Sequence, residues 1–171
     1  MRQSNKIDYA AEPIGGEELM IRLLCSPLYY DKATHIVSAE AFNLRMMGKE
    51  ANTPEPYASL GRKKVLEAEG TLDGYLQVGY KVWNDKAWET NEYAGYGTFL
   101  CADALKVNPK RIEINPLCGG QKGHVGMFFV KSDTEYFKGP LPMEDAEIAE
   151  MLGDLSALIA DNIAPAPEKK A

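Results

Sequence analysis

Arginine is scarce in this chain, five against fourteen lysines, so a guanidinium inside or beside an apolar run stands out. A guanidinium presents a rigid planar fork that matches a carboxylate or a phosphate. Arg22 falls within the apolar run from Leu19 to Cys25, and Arg62 opens the basic triplet Arg62-Lys63-Lys64. The run Cys118-Gly-Gly-Gln-Lys-Gly-His124 adds a second kind of anion chemistry, because Gly119, Gly120 and Gly123 free backbone N–H groups to form a concave nest and Lys122 supplies a charge. It does not match the Walker pattern, since no Gly-Lys-Ser/Thr ends it and a strand is expected to follow. The competing reading of this run is a hairpin loop.

His35 and His124 are the two histidines of the chain. Imidazole is the side chain best poised to move protons near neutrality, so the pair could serve as acid and base if the fold unites them. Arg22, Arg62, Lys122, Gly120 and Gly123 would then line an anionic pocket beside them. The plainer alternative makes the histidines structural, turns Arg22 to solvent and places the basic triplet on the wet face of a helix reaching Glu69.

A third constellation is aromatic. Trp83, Trp88, Tyr93 and Tyr96 alternate with Asn84, Asp85, Glu89, Asn91 and Glu92, and aromatic rings among polar loop residues suit a protein-binding surface. Against Asp85, Glu89 and Glu92 the segment sets only Lys86, so it would repel a phosphate backbone and is not a nucleic-acid platform. Its rival is a hairpin whose rings close the edge of the core. The carboxylates do not gather around a histidine at metal-ligand spacing, and no metal or cofactor is expected.

The elements that must position these residues follow from pattern. Glu18 to Cys25 alternates and reads as a strand ended by Ser26-Pro27, with a short helix as its rival. Ser38 followed by Ala-Glu-Ala-Phe predicts a capped short helix to about Met47, and Thr53-Pro-Glu-Pro56 predicts a loop. The alternation of Leu76, Val78, Tyr80 and Val82 predicts a strand over 75–83. Tyr96 to Leu100, Arg111 to Asn115 and His124 to Lys131 are further strands, close enough in sequence to pair antiparallel. From Pro142, the recurrence of Ile148, Leu152, Leu155 and Ile159 predicts an amphipathic helix of about five turns, widened by Ile163. The expected fold class is α+β: a mostly antiparallel sheet with short helices and a long amphipathic C-terminal helix packed on it.

The chain of 171 residues, 45% hydrophobic, is long enough for one core without staples. Polar residues 1–12 are expected to be flexible, residues 13–163 to form a single domain, and residues 164–171, Ala-Pro-Ala-Pro-Glu-Lys-Lys-Ala, to form a disordered tail. No apolar run approaches the length of a membrane span. Glu17 and Glu18 stand where a signal peptide would be most apolar, so a cytoplasmic location is expected. Cys25, Cys101 and Cys118 are odd in number and far apart, which predicts free thiols.

The net charge of −6 is unevenly placed. Residues 1–64 hold nine basic and eight acidic side chains, 65–142 eight and ten, and 143–171 two and seven. The acidity therefore belongs to the last helix and its tail, where the first acids also suit the helix dipole, and the rest of the chain is nearly neutral. Three functions fit. The first is a small cytoplasmic binding or inhibitor module that presents the aromatic polar loop and the acidic helix face to a protein partner. The alternative is a small enzyme for a phosphorylated or nucleotide substrate, with His35 and His124 moving protons and the arginines holding a small anionic ligand. The third is an assembly subunit that oligomerises through its last helix.

Overall fold

In a computed structural model, which describes residues 2–171, the chain builds a six-stranded, wholly antiparallel sheet. The strands are β1 (Leu19–Ser26), β6 (Ala58–Arg62), β7 (Glu92–Leu100), β8 (Ile112–Pro116), β9 (His124–Phe129) and β10 (Ile163–Pro165), in the order β10-β7-β1-β6-β9-β8. Two small hairpins stand apart from it: β2 (Tyr30–Asp31) with β3 (Ile36–Val37), and β4 (Met46–Met47) with β5 (Thr53–Pro54). The helices are α1 (Lys63–Ala68), α2 (Leu72–Gly79), α3 (Cys101–Val107) and α4 (Ala146–Ile159). This is the α+β arrangement that the patterning predicts. No helix of the described residues is long and apolar enough to cross a membrane.

β1 is the centre of the fold. Ile21 is paired with Gly61, where a Cβ would strike Leu66 of α1 and Tyr75 of α2. Its neighbour Arg22 is paired with Gly97, where a Cβ would strike Ile159 of α4. Successive residues of a strand point to opposite faces, so α1 and α2 cover one face and α4 the other. Both faces of β1 are buried, and every residue from Met20 to Ser26 is inside. Arg22 therefore does not turn to solvent; it is 5% exposed. Pairing of β1 with β6 is confined to Met20↔Arg62 and Ile21↔Gly61, and beyond Ile21 the guanidinium of Arg22 reaches across to β6.

Several local expectations are corrected. Residues 75–83 form no strand: α2 runs into a π-turn at Tyr80–Asn84. The alternation there was one of two periodicities present, and the helical one wins because Tyr75, Leu76, Gly79 and Trp83 share a buried face while Val78 and Val82 stay exposed. Ser38 does cap, accepting from the Glu40 N–H at 3.0 Å, but the helix it opens is a single 3-10 turn at Ala39–Phe42. Thr53 and Pro54, expected in a loop, form the outer strand of the β4–β5 hairpin. α4 begins at its Asp145 cap and ends at Ile159, so Ile163 belongs to β10 rather than to the apolar stripe.

The structure also differs from composition at both ends. Ile7 is buried and bridges to Leu117, and the Cys118 N–H donates to the Lys6 carbonyl. One apolar residue and backbone hydrogen bonds thus join the N-terminal stretch to the loop after β8. Ala164 and Pro165, counted with the solvated tail, pair with Tyr96 and Gly95 of β7.

Candidate functional site

The splay between β1 and β6 opens into a cavity of about 570 Å³. Its sheet wall carries Arg22, Ser59 and His124; α2 and the π-turn add Tyr75, Val78, Val82 and Trp83; the β4–β5 hairpin and its base add Arg45, Met46, Met47 and Glu55. Tyr29 and the loop from Lys86 to Asn91, with Trp88, complete the rim. That volume falls within the range typical of small-molecule sites, roughly 300–1,000 Å³.

Arg22 is the most constrained member. Its Nε donates to the Ala41 carbonyl at 2.9 Å and its Nη1 to the Ser59 carbonyl at 3.1 Å. The guanidinium carbon lies 5.0 Å from the centre of the Tyr29 ring and 5.8 Å from that of Phe42. Its Nη2 is buried and has no hydrogen-bond acceptor. Nε1 of Trp83, a second cavity residue, is likewise buried without an acceptor. A buried donor left unmade costs about 1–3 kcal/mol, and both of these groups can only donate.

Arg45 is held more loosely, with Nη2 at 3.7 Å from Glu89 and its guanidinium 6.0 Å from the Tyr29 ring. Glu55 sits at the base of the hairpin, where its Oε1 accepts the Arg45 N–H at 2.7 Å. Burial pushes the Glu55 carboxyl up, against the pull of Arg22 and Arg45. Burial would also raise Glu89, but hydrogen bonds from Asn91 and the charge of Arg45 outweigh it and hold that carboxyl below its ordinary value. The Tyr29 hydroxyl is pushed up to about 12 by burial. Burial lowers the His124 imidazole, favouring its neutral form.

Four cationic side chains, Arg22, Arg45, Lys49 and Lys86, line the cavity against the two carboxylates Glu55 and Glu89. A chain of net charge −6 thus carries a cavity of net positive charge. The mouth is apolar. Of the nine large hydrophobic residues exposed among the described residues, five (Met46, Met47, Val78, Val82 and Trp88) line this cavity. Exposed apolar side chains gathered in one place mark a surface that expects a partner.

Comparison with protein-family models, with curated proteins and with solved structures returns no match for this chain.

The residues singled out in the sequence divide clearly. Arg22, His124, Trp83 and Trp88 meet at the cavity. His35 does not; it is an exposed residue of the β2–β3 turn with φ of 59°, and its Nδ1 lies 2.9 Å from the Tyr30 hydroxyl. Arg62 is buried in an ion pair with Glu18, and Lys122 is exposed and paired with Glu69 at 2.9 Å. The glycine run is a loop between β8 and β9 with Gly119, Gly120 and Gly123 at positive φ, and among its residues Gln121 reaches the cavity wall. Tyr93 packs behind Trp83 with ring centroids 5.9 Å apart, and Tyr96 lies on β7 opposite Leu23 and Ala164. Trp83 and Tyr93 are buried and Tyr96 is half-buried, so of the four aromatic residues Trp88 is the exposed one. On the acidic helix, Asp145 caps the N-terminus and Glu147 pairs with Arg111 at 2.9 Å. Among the described residues no three His, Cys, Asp or Glu side chains gather where they could hold a metal ion.

Sequence reasoning missed Tyr29, Arg45, Met46, Met47 and Glu55. One signal was available. Glu55 stands between Pro54 and Pro56, and flanking prolines hold the backbone of such a residue in an extended, pre-set conformation.

Proposed function

We propose that this protein is a binding module for a small organic anion, received in the cavity between β1, β6, α2 and the β4–β5 hairpin. The observation that carries this reading is that two arginines, Arg22 and Arg45, line a cavity of net positive charge with an apolar mouth. An anion accepts from these guanidiniums, and a partly desolvated arginine makes a stronger bond to it than an exposed one would. The apolar mouth accepts the body of the ligand. The aromatic loop serves the same purpose by closing one wall rather than by docking a protein. The enzyme reading has less support, because His35 lies outside the cavity and a reaction needs its acid and base at one reacting atom.

The chain has two tryptophans, Trp83 and Trp88, and both line the cavity, so intrinsic fluorescence reports on its contents. Titration with a panel of small carboxylates and phosphates, followed by fluorescence and by calorimetry, should find at least one saturable ligand. Arg22→Met and Arg45→Met should each weaken it by about tenfold or more, the equivalent of ~1.4 kcal/mol. Binding unaffected by both substitutions, or no saturable anion in the panel, refutes the reading.

A further inference from the structure

We propose that the ligand is an aromatic monocarboxylate, its carboxylate held between Arg22 and Arg45 beside Glu55 and its ring packed against Trp83 and Trp88. This rests on the small-anion reading above and goes further by choosing among anions.

Charge is the first of three features of the cavity that favour this ligand. Arg22 and Arg45 share the cavity lining with Glu55 and Glu89, Arg45 lying 3.7 Å from Glu89 and both guanidiniums acting on Glu55, so the two arginines are already balanced by carboxylates. The surplus cations, Lys49 and Lys86, are exposed. A monoanion joins such a set with little repulsion. A phosphate monoester, which approaches two charges near neutrality, would meet the Glu55 carboxylate, and the cations left to match its second charge, Lys49 and Lys86, stand exposed to solvent, where their pull is screened.

The second is the donor inventory. Arg22 has already given Nε and Nη1 to the Ala41 and Ser59 carbonyls. What remains is the second Nη1 hydrogen and the Nη2 group, to which Arg45 adds a loosely held fork. A planar carboxylate, with two oxygens, needs no more. The three oxygens of a phosphoryl group call for a fuller ring of donors, such as a glycine nest or a helix N-terminus. The glycine loop of this chain contributes only Gln121 to the cavity wall.

The third is the wall. Trp83 is fixed by the Tyr29 ring, edge-on at 6.1 Å, and by Tyr93 behind it, which makes it a rigid face. Trp88 is 47% exposed, and Met46 and Met47 border the same mouth at 38% and 40%. Unbranched, polarizable methionines adapt to a flat ring, and a rigid tryptophan offers it an offset-stacked or edge-on partner. An acid without a ring, such as acetate, leaves this surface wet.

Three probes separate the possibilities: phenylacetate, phenyl phosphate and acetate, titrated at pH 7 into the full chain and read by tryptophan fluorescence and calorimetry. Phenylacetate is expected to bind at least about tenfold more tightly than either of the others. Trp88→Ala should reduce its affinity several-fold while Trp88→Phe retains most of it. Glu55→Gln should narrow the gap between phenylacetate and phenyl phosphate, because it removes the carboxylate that selects against the second charge. Phenyl phosphate binding as tightly as phenylacetate, or more so, overturns the carboxylate assignment while leaving the anion-binding function intact. Acetate matching phenylacetate overturns the aromatic assignment on the same terms. Failure of all three probes to bind overturns this inference, and the small-anion reading falls only if the wider panel fails as well.

Discussion

Arg62 grips Glu18 with both arms of its fork: Nε and Nη2 each lie 2.8 Å from one carboxylate oxygen, and both side chains are buried. The pair ties the start of β1 to the end of β6 next to the Met20↔Arg62 register position, and Oε2 of Glu18 also accepts the Gly15 N–H at 2.6 Å. Arg62 is therefore a fastening and has no fork to spare for a ligand. Removing one partner of a buried pair strands the other charge, which costs about 3–5 kcal/mol. Arg62→Met should cost that much in urea unfolding, and the double variant with Glu18→Leu should recover a large part of it.

The same carboxyl sets one limb of the pH profile. Burial would raise Glu18, but the hydrogen bonds from Arg62 and from the Gly15 N–H outweigh it, and the group sits below its ordinary value of 4.5. A depressed carboxyl contributes stability that is complete above the ordinary value and is lost as pH falls through the lowered one. Glu55 has the opposite sign, because burial raises it despite Arg22 and Arg45. Its charged form is a cost to the fold at neutrality, relieved as pH falls through the raised value and fully relieved below the ordinary 4.5. Glu55→Gln should thus melt higher than the parent at pH 7 and at the same temperature at pH 4. A variant less stable than the parent at pH 7 would show that the carboxylate is a net support of the hairpin.

Two glycines of α2 should respond to alanine in opposite directions. A Cβ on Gly79 would lie 2.5 Å from the Tyr93 ring, whereas around Gly74 nothing stands within 4 Å. Tyr93 cannot give way easily, since its ring is wedged against Tyr80 at 5.0 Å and against Trp83 at 5.9 Å. Gly74→Ala should stabilise by about 0.5–1 kcal/mol through helix propensity. Gly79→Ala adds the same propensity but overpacks the core, a cost of about 1–3 kcal/mol, and should come out destabilised in chemical denaturation. Equal effects at the two positions would mean that the Tyr93 ring is free to move.

Gly79 also explains what could and could not be read from the sequence. Strands β1, β7, β8 and β9 were legible because each has β-branched or aromatic residues bounded by Gly, Asn or Pro, and α4 because its apolar residues recur over several turns; β6 was not, because Ala58-Ser-Leu-Gly-Arg62 holds no β-branched or aromatic residue. Residues 75–83 were not, because Leu76, Val78, Tyr80 and Val82 alternate as a strand would. The deciding fact, that Gly79 lets the Tyr93 ring approach the helix backbone, is a tertiary contact. The site divides along the same line. Arg22, His124, Trp83 and Trp88 were found by residue type, since a rare arginine in an apolar run and tryptophans among acids are visible without a fold. Arg45 and Glu55 were missed because their hairpin has strands of two residues each, too short to show any period. Arg62 was chosen for the same chemistry as Arg22, and only the pairing of β1 with β6 reveals that Glu18 already occupies it.

The last residues of the chain act as a strap whose two halves do different work. β10 covers the outer edge of β7 through Ile163, Ala164 and Pro165. Beyond it, the Pro167 carbonyl accepts from the Tyr80 hydroxyl and the Glu168 carbonyl from the Gln77 amide, while Lys169 and Lys170 pair with Asp85 and Asp73. The ion pairs are exposed and should contribute little; the two bonds to carbonyls are worth roughly 1 kcal/mol each. Truncation after Ala166 should therefore cost about 1–2 kcal/mol and leave a monodisperse protein. Truncation after Asn162 should cost more and change behaviour in kind, because it bares the backbone of β7 from Gly95 to Gly97 at the edge of the sheet, and an unpaired edge recruits other strands. Light scattering during storage at several concentrations would compare the two. Concentration-dependent association of the shorter chain alone supports this division, and equal behaviour of both truncations would mean that the edge is protected by something other than β10.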